Sequence, residues 1–142
     1  MMPETLRQET LTPELSAGSN SAPGFAKHPD YEIRMQPFQG DVSVMAGPTV
    51  IANSHNAILL TETGHSPVYY LPRADVCFDV LQDIDVSTYC PFKGHAVYWC
   101  ATGDGSAQPV MWAYATPYDE VVGLAEYVAF YGDRVTLVAT KK

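Results

Sequence analysis

From Tyr31 to the end of the chain, short runs of alternating apolar and polar residues are broken every few positions by Gly, Pro, Asn or Asp. Alternation at period two marks strands with one buried face, because successive side chains point to opposite sides of a sheet. The pattern predicts strands over residues 31–35, 41–45 and 49–52, with breaks at Gln39-Gly40 and Gly47-Pro48. Residues 56–62 and 68–71 form the next pair, joined across Thr63, Gly64, His65 and Ser66, and residues 76–80 make a further apolar run. Residues 94–101 and 108–115 flank Gly103-Asp104-Gly105-Ser106, a hairpin sequence. Residues 118–125 suit a short helix or turn, and residues 127–131 and 134–139 enclose Gly132-Asp133 as a closing hairpin. The fold class expected is mainly β: small antiparallel sheets with at most one or two short helices.

Two registers follow from this pattern. With Ala101 opposite Gln108, Trp99 faces Val110, Val97 faces Trp112 and His95 faces Tyr114, which puts both tryptophans on one core face. With Tyr131 opposite Arg134, Val128, Phe130, Val135 and Leu137 share an apolar face.

Residues 1–26 are polar, rich in Ser, Thr, Glu, Pro and Gly, and carry no sustained period. Such a segment buries too little apolar area to offset its ordering entropy, so it reads as a flexible tail before one β-rich domain at 27–142. A chain begun near Phe25 is then expected to keep its melting temperature. Composition narrows the partners. A net charge of −8, with eight Lys and Arg spread along the chain, disfavours nucleic acid and anionic membrane surfaces. No apolar stretch reaches the length of a membrane span, and the start lacks the basic and apolar parts of a secretory signal. Cys77, Cys90 and Cys100 form an odd set without C-x-x-C spacing, which suits neither a disulfide framework nor a zinc site. A reducing cytoplasm is the expected compartment, and neither metal nor cofactor is expected.

Three segments hold more polar and aromatic residues than a plain core requires. They are Glu62-Thr63-Gly64-His65-Ser66-Pro67-Val68-Tyr69-Tyr70-Leu71-Pro72-Arg73, then Tyr89-Cys90-Pro91-Phe92-Lys93-Gly94-His95-Ala96-Val97-Tyr98-Trp99, then Met111-Trp112-Ala113-Tyr114-Ala115-Thr116-Pro117. Glu62 shares a strand face with Ile58 and Leu60, and an apolar setting would raise its pKa and suit it to proton transfer. Arg73, aimed by Pro72, offers a two-point fork for an anion, or a structural bridge to Asp75 or Glu62. The turn from Cys90 to Gly94 brings a thiol near the Lys93 ammonium, which would favour a nucleophilic thiolate; an unpaired Cys also serves simply as a small buried hydrophobe. Asp83 and Asp85 lie two apart on an extended segment, a spacing that can hold Mg²⁺ and that also suits a solvated acidic loop. Tyr70, Trp99, Trp112, Tyr114 and Tyr127 would line an aromatic pocket or build a core.

Together with the closing aromatic hairpin, these segments resemble the bacterial family catalogued as domain of unknown function 427. Its members carry runs like E-T-G-H-x-P-V-Y-Y-x-P-R, C-P-F-K-G-x-A-x-Y-W and W-x-Y-x-x-P in this order, and the resemblance covers roughly residues 30–138. It implies a fold of the β-tent, or Mss4-like, group. The chain lacks the paired C-x-x-C motifs with which several β-tent proteins bind zinc, and the resemblance implies no activity.

Three functions stay open. The first is a domain, or minor enzyme, holding a small anionic ligand, with Glu62 and Cys90 as catalytic candidates and Tyr70, Arg73, Lys93, Trp99, Trp112 and Tyr114 as binding residues. In that reading Arg73 and Lys93 converge on one anionic group, with Glu62 handling a proton. The second is an interaction or assembly domain using exposed sheet edges, which would also allow a homo-oligomer. The third is Mg²⁺-dependent nucleotide chemistry at Asp83 and Asp85.

Overall fold

The computed structural model describes residues 20–103 and 107–142. The chain is mainly β, in two antiparallel sheets. Its strands are β1 (Ile33–Pro37), β2 (Gly40–Ala46), β3 (Thr49–Ser54), β4 (Ile58–Glu62), β5 (Val68–Pro72), β6 (Leu81–Cys90), β7 (Gly94–Ala101), β8 (Pro109–Tyr114), β9 (Tyr127–Phe130) and β10 (Thr136–Lys141). A seven-stranded sheet runs in the order β1-β4-β5-β9-β8-β7-β6, and a three-stranded sheet in the order β10-β2-β3. Helical structure among the described residues is confined to an α-turn at Gly24–Lys27 and 3-10 turns at Arg73–Asp75, Phe78–Val80 and Asp119–Leu124. The apolar run at 76–80 is thus no strand beyond one bridge, between Val76 and Ala52.

Strand alternation sorts the apolar residues into two layers. Val42, Val44 and Ile51 of the small sheet pack against Leu71, Trp99, Met111, Val128 and Phe130 of the large one. The opposite face of the large sheet gathers Leu60, Tyr70, Ala96, Tyr114 and Ala129, roofed by Val121 and Leu124 from the last 3-10 turn. Tyr70 and Leu71, adjacent in sequence, are both almost fully buried, one in each layer. That follows from a strand covered on both faces.

Both sequence-derived registers are corrected. Near the loop the first holds, with Cys100 opposite Pro109, but the register then shifts so that Trp99 faces Met111 and Tyr98 faces Trp112. Val110 is the extra residue of this β-bulge, and a one-residue slip moves every later side chain to the other face. Trp99 therefore sits in the layer between the sheets, whereas Trp112 is half-buried on the far face. The closing hairpin forms its turn, with the amides of Arg134 and Val135 donating to the Tyr131 carbonyl. It forms no ladder. Both edges of β9 are occupied, by β5 and β8, so β10 leaves to pair with β2. Val128, Phe130, Val135 and Leu137 still meet in one apolar layer.

The segment 81–90, with its two aspartates, is not a loop. It is the edge strand β6, paired with β7 and almost wholly exposed, so it carries no apolar alternation to betray it.

The large sheet is strongly coiled. Six inter-strand steps of about 4.8 Å would hold the edges of a flat sheet about 29 Å apart. Yet Tyr31, just before edge strand β1, stacks on Phe92, in the turn after edge strand β6, with ring centroids 4.0 Å apart. These are diagonally opposite corners, which sheet coiling draws together.

A strap of chain locks this closure. The Asn20 carbonyl accepts from the Asp119 amide, the Ala22 amide donates to the Glu120 carboxylate, and the Gly24 amide donates to the Pro91 carbonyl. Phe25 then packs edge-on to Phe92 at 5.0 Å. Gly24 is required by contact: a Cβ there would lie 2.7 Å from the Phe92 ring. Residues 20–26, read from sequence as the end of the tail, thus lie against the domain; residues 1–19 fall outside the described residues. Removing residues 1–24 should lower the melting temperature by about 5–10 °C relative to removing 1–19, taking about 1 kcal/mol for each lost hydrogen bond. Calorimetry of the two truncations checks this, and a difference below about 2 °C would show that the strap adds nothing.

Candidate functional site

The sheet coil brings Glu62, at the end of β4, to Lys93, in the β6–β7 turn. The Lys93 ammonium donates to Glu62 Oε1 at 2.6 Å, and the two side chains are only 8% and 9% exposed. Tyr31 donates its hydroxyl to the other carboxylate oxygen, Oε2. The turn that aims Lys93 depends on Gly94, whose φ of 121° is open to glycine and strained for other residues.

Burial alone would push the Glu62 carboxyl up, but the hydrogen bonds from Lys93 and Tyr31 and the Lys93 charge outweigh it and hold the pKa below its usual value. The expected raised pKa is therefore corrected: Glu62 is a fixed anion rather than a poised acid. The Tyr31 hydroxyl is pushed up by burial, by its bond to Glu62 and by that negative charge, so it stays protonated as a donor.

The pair opens on a cleft of about 330 Å³ lined by Glu62, His65, Ser66, Val68, Tyr70, Lys93, Tyr98, Trp112, Tyr114 and Tyr131. The Trp112 and Tyr70 rings meet edge-to-face at 6.4 Å. Tyr131 packs beside Trp112 at 4.6 Å, and the Tyr98 hydroxyl meets that of Thr88 at 2.6 Å. Burial pushes the Tyr70 and Tyr114 hydroxyls well above the usual tyrosine range, so both remain neutral. Chemically, the cleft offers one buried carboxylate, one buried ammonium and a rim of neutral hydroxyls on aromatic walls.

Glu62, Tyr70, Lys93, Trp112 and Tyr114 thus come together as the sequence suggested. Cys90 packs in the layer beneath them without lining the cleft, and the ammonium expected to activate it is bonded to Glu62. Arg73 and Trp99 are on the other side of the sheet. The Arg73 guanidinium lies over the rings of Phe78 and Trp99, at 5.0 and 5.3 Å, where it is a structural cation–π partner. Convergence of Arg73 and Lys93 on one anion is therefore corrected: Pro72 ends β5 in register with Tyr127, and the next residue turns to the inter-sheet layer. Tyr127 packs against the cleft-side layer without lining the cleft. Asp83 and Asp85 are exposed on β6, and no group of three or more metal-ligating side chains gathers among the described residues. Tyr31, Tyr98, Tyr131 and His65 were missed. The bulge at Val110 hid Tyr98, since the unshifted register pairs Val97, not Tyr98, with Trp112.

Lys93→Met should cost about 3–5 kcal/mol, because it strands a buried carboxylate, and adding Glu62→Gln should restore at least half of the loss. Urea unfolding of the cycle checks this; additive losses would show that the two groups do not act as a pair. The lowered Glu62 pKa also fixes a sign. Its contribution is complete above the ordinary carboxylate range and is lost as pH falls through the lower native value. Stability of the native sequence should therefore fall more steeply below pH ~5 than that of Glu62→Gln, and parallel curves would contradict the assignment.

No curated protein matches this chain, and no helix among the described residues is long and apolar enough to cross a membrane. A family model matches residues 34–141, a span that takes in the strands that build the cleft, β4 through β9. On residues 34–141 the chain belongs to the family described as domain of unknown function 427 (DUF427).

Proposed function

We propose that the domain binds a small polar molecule in the cleft at Glu62 and Lys93. The observation that carries this reading is a buried ion pair that opens onto aromatic walls instead of being sealed by them. Burying two charges costs several kcal/mol, and apolar replacements of the same volume are often as stable. A pair kept at the floor of an accessible cleft therefore has a use beyond the fold. At about 330 Å³ the cleft is at the small end of ligand sites. Lys93 would donate to the ligand and Glu62 accept from it, while Trp112, Tyr98 and Tyr131 exclude water and strengthen both contacts. The anion-clamp version has lost its second cation, since Arg73 is engaged elsewhere.

Pairing through the edge of β6 has less behind it. That strand is interrupted by a register shift between Ile84 and Ser87 and presents Asp83 and Asp85, both devices that blunt an edge.

Native mass spectrometry of protein purified from its host should find a retained small molecule. It should be lost from the Lys93→Met/Glu62→Gln double variant and kept in Asp83→Asn/Asp85→Asn. Bare protein in every preparation, or equal retention by all variants, counts against the reading.

A further inference from the structure

We propose that the ligand of this cleft is a neutral polyhydroxyl compound, a saccharide of two or more rings laid across Trp112 and Tyr131. This rests on the small-ligand reading above and names its chemical class.

Charge narrows the class first. Glu62 and Lys93 neutralise one another at 2.6 Å. An anionic ligand must compete with Glu62 for the ammonium, and a cationic one must compete with Lys93 for the carboxylate. A hydroxyl needs neither exchange. It accepts from the ammonium and donates to the carboxylate at once, so vicinal hydroxyls can meet both groups while the pair stays intact. The net charge of −8 adds a long-range penalty for anions.

The walls point the same way. A pyranose ring has polar edges and a C–H-bearing face, and it is matched by an aromatic surface bordered by hydrogen-bonding groups. Trp112, Tyr98 and Tyr131 are half-buried here and so keep surface for contact. They are also held in place. Trp112 packs edge-to-face on the ring of the fully buried Tyr70. The Arg134 guanidinium lies 4.4 Å from the Tyr131 ring centroid and is itself anchored to the Pro109 carbonyl at 2.7 Å. A platform ordered before binding spares the entropy of ordering it afterwards.

Length is set by a second cleft of about 420 Å³, which shares Val68, Trp112 and Tyr131 with the first. Its far side is Pro67, Tyr69, Phe130, Gly132 and Leu137. The two shared rings lie between a compartment lined by Glu62 and Lys93 and one lined by no charged side chain. One sugar ring in each, joined over the shared rings, uses both.

The chain has two tryptophans, which makes the test internally controlled. Trp112 lines the cleft, while Trp99 lies across the sheet beneath Arg73. The full-length protein, ¹⁵N-labelled, is titrated with neutral disaccharides (maltose, cellobiose, lactose and chitobiose), their monosaccharides, inorganic phosphate and tetramethylammonium. At least one disaccharide should move the Trp112 indole cross-peak saturably while that of Trp99 stays fixed. The matching monosaccharide should bind about tenfold more weakly, and Tyr131→Ala should weaken the disaccharide about tenfold. If phosphate or tetramethylammonium moves Trp112 and no saccharide does, the neutral class is overturned while the small-ligand reading stands. If no probe moves it at millimolar concentration, the inference fails; bare protein in native mass spectrometry would then take the wider reading with it. Joint movement of both tryptophans would report a global change and would also overturn the proposal.

Discussion

The contact on which the rest depends is the one that joins diagonally opposite corners of the seven-stranded sheet: Lys93 to Glu62, with Tyr31 on the remaining carboxylate oxygen and stacked on Phe92. Coiling of a twisted sheet brings such corners near each other, but nearness alone would leave two desolvated charges unpaired. The pair is tolerable because each partner answers the other, and because Tyr31 satisfies the carboxylate's second oxygen. Closing the corners also makes the cleft. The face between them, carrying Tyr70, Trp112 and Tyr114, becomes a concave wall instead of an open surface.

The strap at residues 20–25 belongs to the same device. It grips Pro91 and Phe92, two residues and one residue before Lys93, and reaches Asp119 and Glu120 of the 3-10 turn whose Val121 and Leu124 roof that layer. The stability of a segment far from the cleft in sequence and the aim of its ammonium are thus one quantity. Gly24 and Gly94 stand at the two places where the chain must pass close or turn sharply to allow it.

The large sheet divides its chemistry by face. The covered face, packed on β2 and β3, took Arg73 with Phe78 and Trp99 and made a cation–π contact of it. The other face took Glu62, Lys93 and the tyrosines. An acidic protein with few cations has therefore placed one in packing and one in an ion pair. What the cleft presents is a neutral assembly of donors and acceptors, not a positive field.

Much of this was written in the chain. Period-two alternation marked β1 to β5 and β7 to β9 because each buries at least one face. Three dense polar-aromatic segments marked Glu62, Tyr70, Lys93, Trp112 and Tyr114, all of which line the cleft. What alternation could not mark was β6, an edge strand with almost no buried residue. Nor could local sequence decide pairings that depend on distant strands. Val110 bulges within β8, and that slip sends Trp99 and Trp112 to opposite faces. β9 is flanked by β5 and β8, which expels β10 to the small sheet although the Tyr131–Arg134 turn forms as its residues dictate. The pKa of Glu62 was misjudged for the same reason. Strand parity placed it among apolar neighbours, but its partners come from residues 31 positions away in either direction, Tyr31 and Lys93. Local pattern determines which face a side chain takes; only the coil of the whole sheet determines what it meets there.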